Sequence, residues 1–428
     1  MKGPHWGWYL LIGVVVLAPA GVRLLTWQGS RRQALDPAMV QAGETLFHHE
    51  WKANDPLAAG GDGLGPVFNA ASCVACHNQG GAGGGGGRQH NVTTYTVGTR
   101  NGVVHAFAVN SPPDTLRHVH PELPPDVSRP SLEMLTTLPG LEGKRIRVPP
   151  GVLLSQRNTP ALFGASAIDA LPDRVIIANE RTQQLKWGLA SGKSNTPSVT
   201  SEIPVGRALR LPDGRIGRFG WKAQSPSLSE FVQAACANEL GLSNPGAAQP
   251  SPLAKPFYKS ASLDLTSEQC DQITAFCASL SQPIERLPND SSLTRDEASA
   301  GKQLFHHIGC ADCHTPNVGG IEGLYSDLLL HDMGQDLQGG GFYYDVPLPP
   351  TVPNAPPSDG PQPGEWRTPP LWGVADSAPY LHDGRAPTLD AAIQLHKGQA
   401  IKSAADFARL SKAEQASIIA FLATLRAP

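Results

Sequence analysis

Two copies of one five-residue pattern, Cys73-Val74-Ala75-Cys76-His77 and Cys310-Ala311-Asp312-Cys313-His314, constrain this chain more than anything else in it. C-x-x-C-H is the attachment signature of c-type haem. Two thiols three positions apart can add to the two vinyl groups of one porphyrin, and the adjacent histidine then lies under the iron as its proximal ligand. With seven cysteines and fourteen histidines in 428 residues, two chance copies arise about once in 100,000 such chains. A four-thiolate zinc site fits poorly, because the pairs lie far beyond ribbon spacing and each carries its histidine. A thioredoxin-like pair would need a strand-helix-strand setting that is missing. The expectation is two covalently bound haem c groups, one on Cys73, Cys76 and His77, the other on Cys310, Cys313 and His314.

The net charge of -3 leaves no nucleic-acid footprint, the length allows two or three domains, and 40 Pro with 45 Gly predict long loops between short helices. Met1 to Gly29 holds one lysine, a mainly apolar run from Trp6 to Val22, and then Arg23. Ala18-Pro19-Ala20 fits the small-residue rule for signal cleavage, and the run is short and broken by Pro19 for a spanning helix. Residues 1–29 therefore read as a signal peptide or an N-terminal membrane anchor. Either directs the chain to the periplasm, soluble after cleavage or held at the inner membrane. Arg31-Arg32 follows the apolar run, so a twin-arginine signal is not indicated.

Each haem motif sits inside a repeat. Ala42 to His49 and Ala300 to His307 share an opening Ala-Gly and a closing Leu-Phe-His-His, the duplicated start of a cytochrome c. The first copy reads as a helix from Asp36, with Pro37 in its first turn and Val40, Gly43, Leu46 and Phe47 along one side. The histidine pairs flank that packing face. Leu265 to Leu280 aligns without gaps on Leu410 to Leu425, placing Ile273, Phe276 and Leu280, and likewise Ile418, Phe421 and Leu425, on one face. In a cytochrome c fold such a helix closes the haem pocket. The fold class expected is mainly α: two cytochrome c-like haem domains, 36–285 and 290–428, with long loops and a small β-hairpin insertion in the first. The junction falls in the polar segment Ser281 to Ser292.

About 190 residues separate His77 from the first closing helix, so this half carries insertions. Gly80 to Gly87 is nearly all glycine and reads as a flexible loop, without the Gly-Lys-Ser/Thr of a phosphate cradle. Thr93 to Val97 and Val103 to Ala108 alternate around Arg100-Asn101-Gly102, a hairpin with a tight turn. His90, His105, His118 and His120 lie in the insertion, each a candidate sixth iron ligand against the default of an exposed loop histidine. A third repeat pairs Arg157-Asn158-Thr159-Pro160 with Arg367-Thr368-Pro369-Pro370, and Ser227 to Ala235 with Thr388 to His396. In the later copy Leu389, Ile393 and His396 share a helical face, with Gly398 placed to end the helix. A histidine on an apolar face is usually a core residue, but a haem needs a distal ligand. In the earlier copy the matching position is Ala235. The expected pair is asymmetric: one haem closed by His314 and His396, the other held by His77 with an open or weakly filled face.

These residues resemble the bacterial di-haem cytochrome c peroxidase and MauG superfamily. The likeness is carried by both C-x-x-C-H sites, the two Arg-led turns and Pro379-Tyr380-Leu381-His382-Asp383-Gly384-Arg385. Leu162-Phe163-Gly164 with Leu171-Pro172-Asp173, Phe219 to Ala223, and Ser326 to Gly334 resemble more narrowly its di-haem oxidoreductase branch, described as thiol oxidoreductases. The resemblance covers Asp36 to Leu425. In the peroxidases the distal ligand of the C-terminal haem is a methionine fourteen residues after the histidine of a Tyr-Phe-His motif, and fourteen after His382 is His396. The family's acid before Met-Gly at the open haem is matched by Glu239, with an ordinary helix-end carboxylate as the alternative. Its inter-haem tryptophan is matched by Trp221, with Phe219 as a competitor and a plain core aromatic as the alternative. A loop histidine that ligates the resting peroxidase haem has no secure counterpart. The family often binds calcium between its halves, but no contiguous acidic loop assigns it here.

The function expected is a periplasmic, peroxidase-like di-haem oxidoreductase. Peroxide meets the haem held by His77, Glu239 moves a proton between its oxygens, and the haem of His314 and His396 exchanges electrons through Trp221. Partners are a small periplasmic electron donor or acceptor, a cytochrome c or cupredoxin. The alternative is a non-enzymatic electron-transfer cytochrome, six-coordinate at both irons. Of the remaining cysteines, Cys236 and Cys270 form the favoured disulfide in an oxidising compartment and Cys236 with Cys277 the other choice. They lack any vicinal arrangement for a thiol-oxidising site.

Overall fold

Two helix pairs, both built from the repeats, organise the fold. The computed structural model describes residues 35–97, 100–109, 132–135, 145–148, 152–187, 202–251, 258–287, 293–339 and 360–428. The segment 1–29, with its signal or anchor, and His118 and His120 lie outside the described residues. No described helix is long and apolar enough to cross a membrane. Helices dominate, joined by small antiparallel sheets, and Ala34–Pro428 forms one compact unit.

The opening helix Pro37–His48 starts at Asp36, whose carboxylate accepts from the Ala38 N–H at 2.9 Å. Pro37 fills a position where the missing N–H has no partner to lose. The closing helix Ser267–Ser279 starts with a reciprocal capping box of Thr266 and Gln269. In the second half, Arg295–His307 and Lys412–Leu422 start the same way, on Thr294 with Glu297 and on Ser411 with Glu414. Each pair touches at a glycine. A Cβ on Gly43 would lie 1.8 Å from the Gln272 carbonyl oxygen, and one on Gly301 would lie 1.8 Å from that of Ser417. Gln272 and Ser417 are equivalent in the closing repeat, as Gly43 and Gly301 are in the opening one. The close approach brings Phe47 to 4.9 Å from Phe276 and Phe305 to 5.4 Å from Phe421, between ring centroids. His48, His306 and His307 are exposed, and His49 turns aside to Asp55 at 2.9 Å.

Val92–Val97 pairs with both Arg100–Val104 and Val152–Arg157 in a three-stranded antiparallel sheet. Arg100, Asn101 and Gly102 face Val97, Thr96 and Tyr95 inside the ladder, so these three residues are strand and not the expected turn. Buried Val103 and Val104 opposite buried Thr94 and Thr93 fix this register. The second strand also ends at Val104, three residues before Phe107–Ala108, which pairs with Val67–Phe68 instead. Leu330–Asp332 pairs with Glu365–Arg367. One core packs Phe47, Ile273 and Phe276 with Leu228 and Leu240. It also takes in Val318, Ile321, Leu324, Leu328, Leu329 and Trp372 from beyond residue 290. A second core holds Phe305, Tyr325, Phe407, Ile418, Phe421 and Leu425.

Candidate functional site

Cys73–Cys76 is a single helical turn capped by Ser72, whose hydroxyl accepts from the Ala75 N–H. His77 follows, and its Nδ1 donates to the Gly84 carbonyl at 3.1 Å, leaving Nε2 available to a metal. The glycine run makes this contact. A Cβ on Gly84 would lie 1.7 Å from the Gln79 oxygen, and one on Gly86 would lie 2.4 Å from that of Cys76. The run is therefore a tightly folded support beneath His77 and not the flexible loop read from its composition. In the second half His314 donates from Nδ1 to the Tyr325 carbonyl at 3.0 Å. Burial pulls both histidines down to about 4, so each is a neutral imidazole at neutral pH. That is the form in which histidine binds metal.

Each motif opens on an apolar cavity. The larger, about 300 Å³, is lined by Cys310, Cys313, His314 and His396 among others. The smaller, about 120 Å³, is lined by Cys73, Cys76, His77, Ala235 and Glu239 among others. Across the larger cavity the rings of His314 and His396 stand 6.5 Å apart, and His396 donates from Nδ1 to the Ala392 carbonyl at 2.7 Å. Two imidazoles bonded to one metal at about 2 Å have ring centres roughly 6 Å apart. The free Nε2 atoms, the gap and the apolar walls fit a haem held between these two rings. In the smaller cavity Ala235 takes the place of His396, and neither His90 nor His105 lines the wall. The His105 Nε2 is engaged with the Asn238 carbonyl at 2.9 Å. Glu239 accepts from Asn69 Nδ2 at 2.7 Å. Burial, and after it the charge of Glu239, push the Cys76 thiol up to about 12, which puts the carboxylate within electrostatic reach of the motif.

The two cavities share a wall. Asn158, Pro160, Phe219 and Trp221 line both, and the Trp221 indole N–H donates to the Asn158 carbonyl at 2.8 Å. Trp221 and Phe219, weighed against each other in the sequence, thus stand together in it. Behind Trp221 lies an aromatic set that sequence reasoning missed. His382 stacks on Trp366 with centroids 3.7 Å apart and an interplanar angle of 14°, and it meets Trp221 edge-on at 6.5 Å. Lys222 Nζ lies 3.8 Å from the Trp366 ring centre and donates to the Gln362 and Pro363 carbonyls. Burial holds that ammonium well below its usual range.

A second missed group adjoins Cys313. The His331 Nε2 faces Asp327 Oδ2 and its Nδ1 faces Gln399 Oε1, both at 2.8 Å. The Gln399 amide nitrogen donates to the Val205 carbonyl, which turns its oxygen toward His331. With acceptors at both nitrogens, the ring is an imidazolium. Burial opposes that charge; Cys313 as a free thiolate and Asp327 both draw His331 well above its usual value, and once Cys313 is a thioether Asp327 is the charge that does so. Cys313, Asp327 and His331 are the only such trio of His, Cys, Asp or Glu within metal-binding reach among the described residues. Their sulfur and nitrogen donors do not suit calcium.

The expected disulfide is not formed. Cys236, Cys270 and Cys277 are free, buried thiols on two packed helices. They join one apolar core, where cysteine behaves as a small hydrophobe.

Residues 146–425 match the model of a family described as "Di-haem oxidoreductase, putative peroxidase". A search of curated proteins finds no relative of the chain. Among solved structures the chain is similar to hydrazine synthase of Kuenenia stuttgartiensis, at 14% identity over 99% of this chain and 100% of that one, TM-score 0.43. It is similar to the diheme peroxidase BthA of Burkholderia thailandensis at 15% identity over 92% and 86%, TM-score 0.40. A MauG-like protein associated with microbial copper homeostasis matches at 19% identity over 60% and 90%, TM-score 0.30. With its C-terminal two-thirds matched by the family model and a haem-attachment motif at the mouth of each cavity, the chain belongs to the di-haem oxidoreductase family.

Proposed function

We propose that the chain is an exported, peroxidase-like oxidoreductase in which Cys73, Cys76 and His77 would hold one haem c, and Cys310, Cys313 and His314 a second. The observation that carries this reading is the asymmetry of the two cavities. A second imidazole, His396, faces His314, whereas alanine and a carboxylate stand in the other cavity. When bound, the haems supply the electron chemistry of peroxide reduction. Glu239, steadied by Asn69, takes a proton from one peroxide oxygen and returns it to the other, so that water can leave. The apolar lining keeps bulk water from the reacting oxygens. Trp221, fixed by its bond to Asn158 in the common wall, connects the two cavities as the electron relay. A cytochrome c or cupredoxin of the periplasm is the electron partner, and the two halves act as cytochrome c-like domains, 36–285 and 290–428. Calcium between them remains a proposal without assigned ligands.

An optical and EPR titration of the ferric protein with cyanide and peroxide tests this by counting the haems that respond. One responsive and one inert haem is the expected result. Two inert haems, before and after partial reduction, would make the protein an electron carrier. A Glu239→Gln variant should keep both haem spectra and lose at least tenfold in peroxide turnover. Unchanged turnover would remove Glu239 from the mechanism.

A further inference from the structure

The internal repeat extends to a loop at each cavity, and one position in that loop differs in a way its backbone does not explain. Phe219 to Leu228 aligns without a gap on Tyr380 to Leu389, ahead of the segments that carry Ala235 and His396. Both loops close alike: Phe219 and Ser225 exchange backbone hydrogen bonds at 3.0 and 3.3 Å, and Tyr380 and Ala386 at 2.7 and 3.3 Å. Both turn through two left-handed residues, Gly220 and Ala223 in the first and Leu381 and Gly384 in the second, with φ of 79°, 54°, 70° and 67°. Equal backbones make the side chains comparable. The residue equivalent to Gln224 is Arg385, which is exposed, does not line the larger cavity, and pairs with Asp383 at 2.6 Å. Gln224 instead lines the smaller cavity, as Glu239 does. Its amide nitrogen is buried and has no hydrogen-bond partner among the described residues. A buried donor left unpaired is costly, and the second copy shows that the loop does not need one.

Resting on the haem reading, we infer that Gln224 is a hydrogen-bond donor reserved for the small ligand that enters the smaller cavity, and that the ligand it favours is an anion ending in oxygen or nitrogen, hydroperoxide first among them. Glu239 and Gln224 then divide the work. The carboxylate takes one proton from hydrogen peroxide, which leaves the charge on the hydroperoxide oxygen. The amide N–H has no proton to give up at neutral pH, so it steadies that charge until Glu239 returns the proton to the other oxygen. This division fits the asymmetry of the two cavities. Where His396 faces His314 no ligand needs a donor, and the equivalent loop position is turned to a surface ion pair. An ordered water would satisfy the same amide, and the test separates the two.

The experiment uses the full-chain holoprotein. Wild-type protein must first show two haems by pyridine haemochrome and one that binds cyanide; failure of either count refutes the haem reading itself, whatever Gln224 does. Gln224→Met is then expected to weaken cyanide binding about tenfold to hundredfold, the worth of a hydrogen bond to a charged group. Carbon monoxide, a poor acceptor, should lose no affinity for the same haem once reduced. Because an apolar side chain of similar shape leaves no donor unpaired, the urea midpoint of the unliganded variant should match or exceed that of wild type. Arg385→Gln should leave cyanide binding unchanged. If Gln224→Met does not fold, Gln224→Glu reports in its place: relative to wild type at each pH, its cyanide affinity should fall as the pH rises and the new carboxyl ionises. Unchanged cyanide affinity in Gln224→Met would mean that the amide serves a buried water only, and would overturn the proposal. Equal losses for cyanide and carbon monoxide would trace the effect to cavity shape and overturn it as well, as would a lowered urea midpoint, which would give the amide a structural partner.

Discussion

His331, buried beside Cys313, and His396, half-buried across the cavity from His314, are imidazoles whose neighbours assign them opposite charge states. The His396 Nδ1 donates to a backbone carbonyl and burial lowers the ring, so its Nε2 keeps a lone pair for a metal. Replacing it by methionine should raise the midpoint potential of the second haem and leave the first unchanged, because a thioether favours the reduced iron more than imidazole does. A potentiometric titration resolving the two haems checks this, and an unmoved second potential would remove His396 from the iron. His331 stands between Asp327 and Gln399 and is held charged. Its folded value lies above the unfolded one of about 6.5. The stability it contributes is therefore complete below about pH 6.5 and lost as pH rises through the folded value. Asp327→Asn removes the counter-charge, costs about 3–5 kcal/mol, and flattens that slope. Urea midpoints across the pH range test both features; a variant with the wild-type slope would place the proton elsewhere.

At the scale of elements, the helix crossings make a sharper stability prediction than the haem ligands do. By propensity alone, Gly301→Ala in the helix interior should gain about 1 kcal/mol. The Ser417 carbonyl 1.8 Å from the new methyl reverses the sign, since overpacking of this kind costs about 1–3 kcal/mol and the backbone must move to relieve it. The expected result is a lower urea midpoint for Gly301→Ala and for Gly43→Ala, while exposed Ser299→Ala stays within about 0.5 kcal/mol of wild type. Equal midpoints for all three would mean that the helices do not cross at the glycines. These crossings were legible in the chain because the same spacing of Gly, Leu and Phe occurs twice, with capping residues in front and a 3.6-residue period behind. The haem motifs were legible because chemistry fixes their spacing, and His396 because the third repeat and the family resemblance single it out; its ring stands 6.5 Å from that of His314. What could not be read depends on contacts made across loops. The glycine run gave no sign that it would support His77. The His331–Gln399 bond spans 68 residues, and the Trp366–His382 stack joins a strand to a turn. Asn101 and Gly102 pair as strand because buried valines opposite threonines, and not the Asn-Gly pair, set the register.

For the whole molecule, the question is whether two cytochrome-like halves also behave as two folding units. The segment near residue 290 separates the helix pairs, but the packing does not stop there. Val318, Ile321, Leu324, Leu328, Leu329 and Trp372 are buried in the core that also holds Phe47 and Phe276. At about 1.5–3 kcal/mol for each large buried side chain, their burial is on the order of 10 kcal/mol, as large as the net stability of a typical domain. The wall around Trp221 adds to this coupling, because first-half residues from Asn158 to Phe231 line part of the cavity that holds Cys310, Cys313 and His314, and losing the first half opens that side. Arg367 reaches the Gly220 carbonyl and its N–H reaches the Trp221 carbonyl, so that wall is pinned from both sides of the junction. Heating the holoprotein should therefore give one transition, with the Soret band of each haem and the far-UV signal changing together. A fragment ending at residue 287 would expose the apolar surface those six residues cover and should aggregate or bind a hydrophobic dye. Two resolved transitions, together with a monomeric, dye-free fragment, would show that each half closes its core alone and that electron transfer through Trp221 is a property of docking and not of one continuous fold.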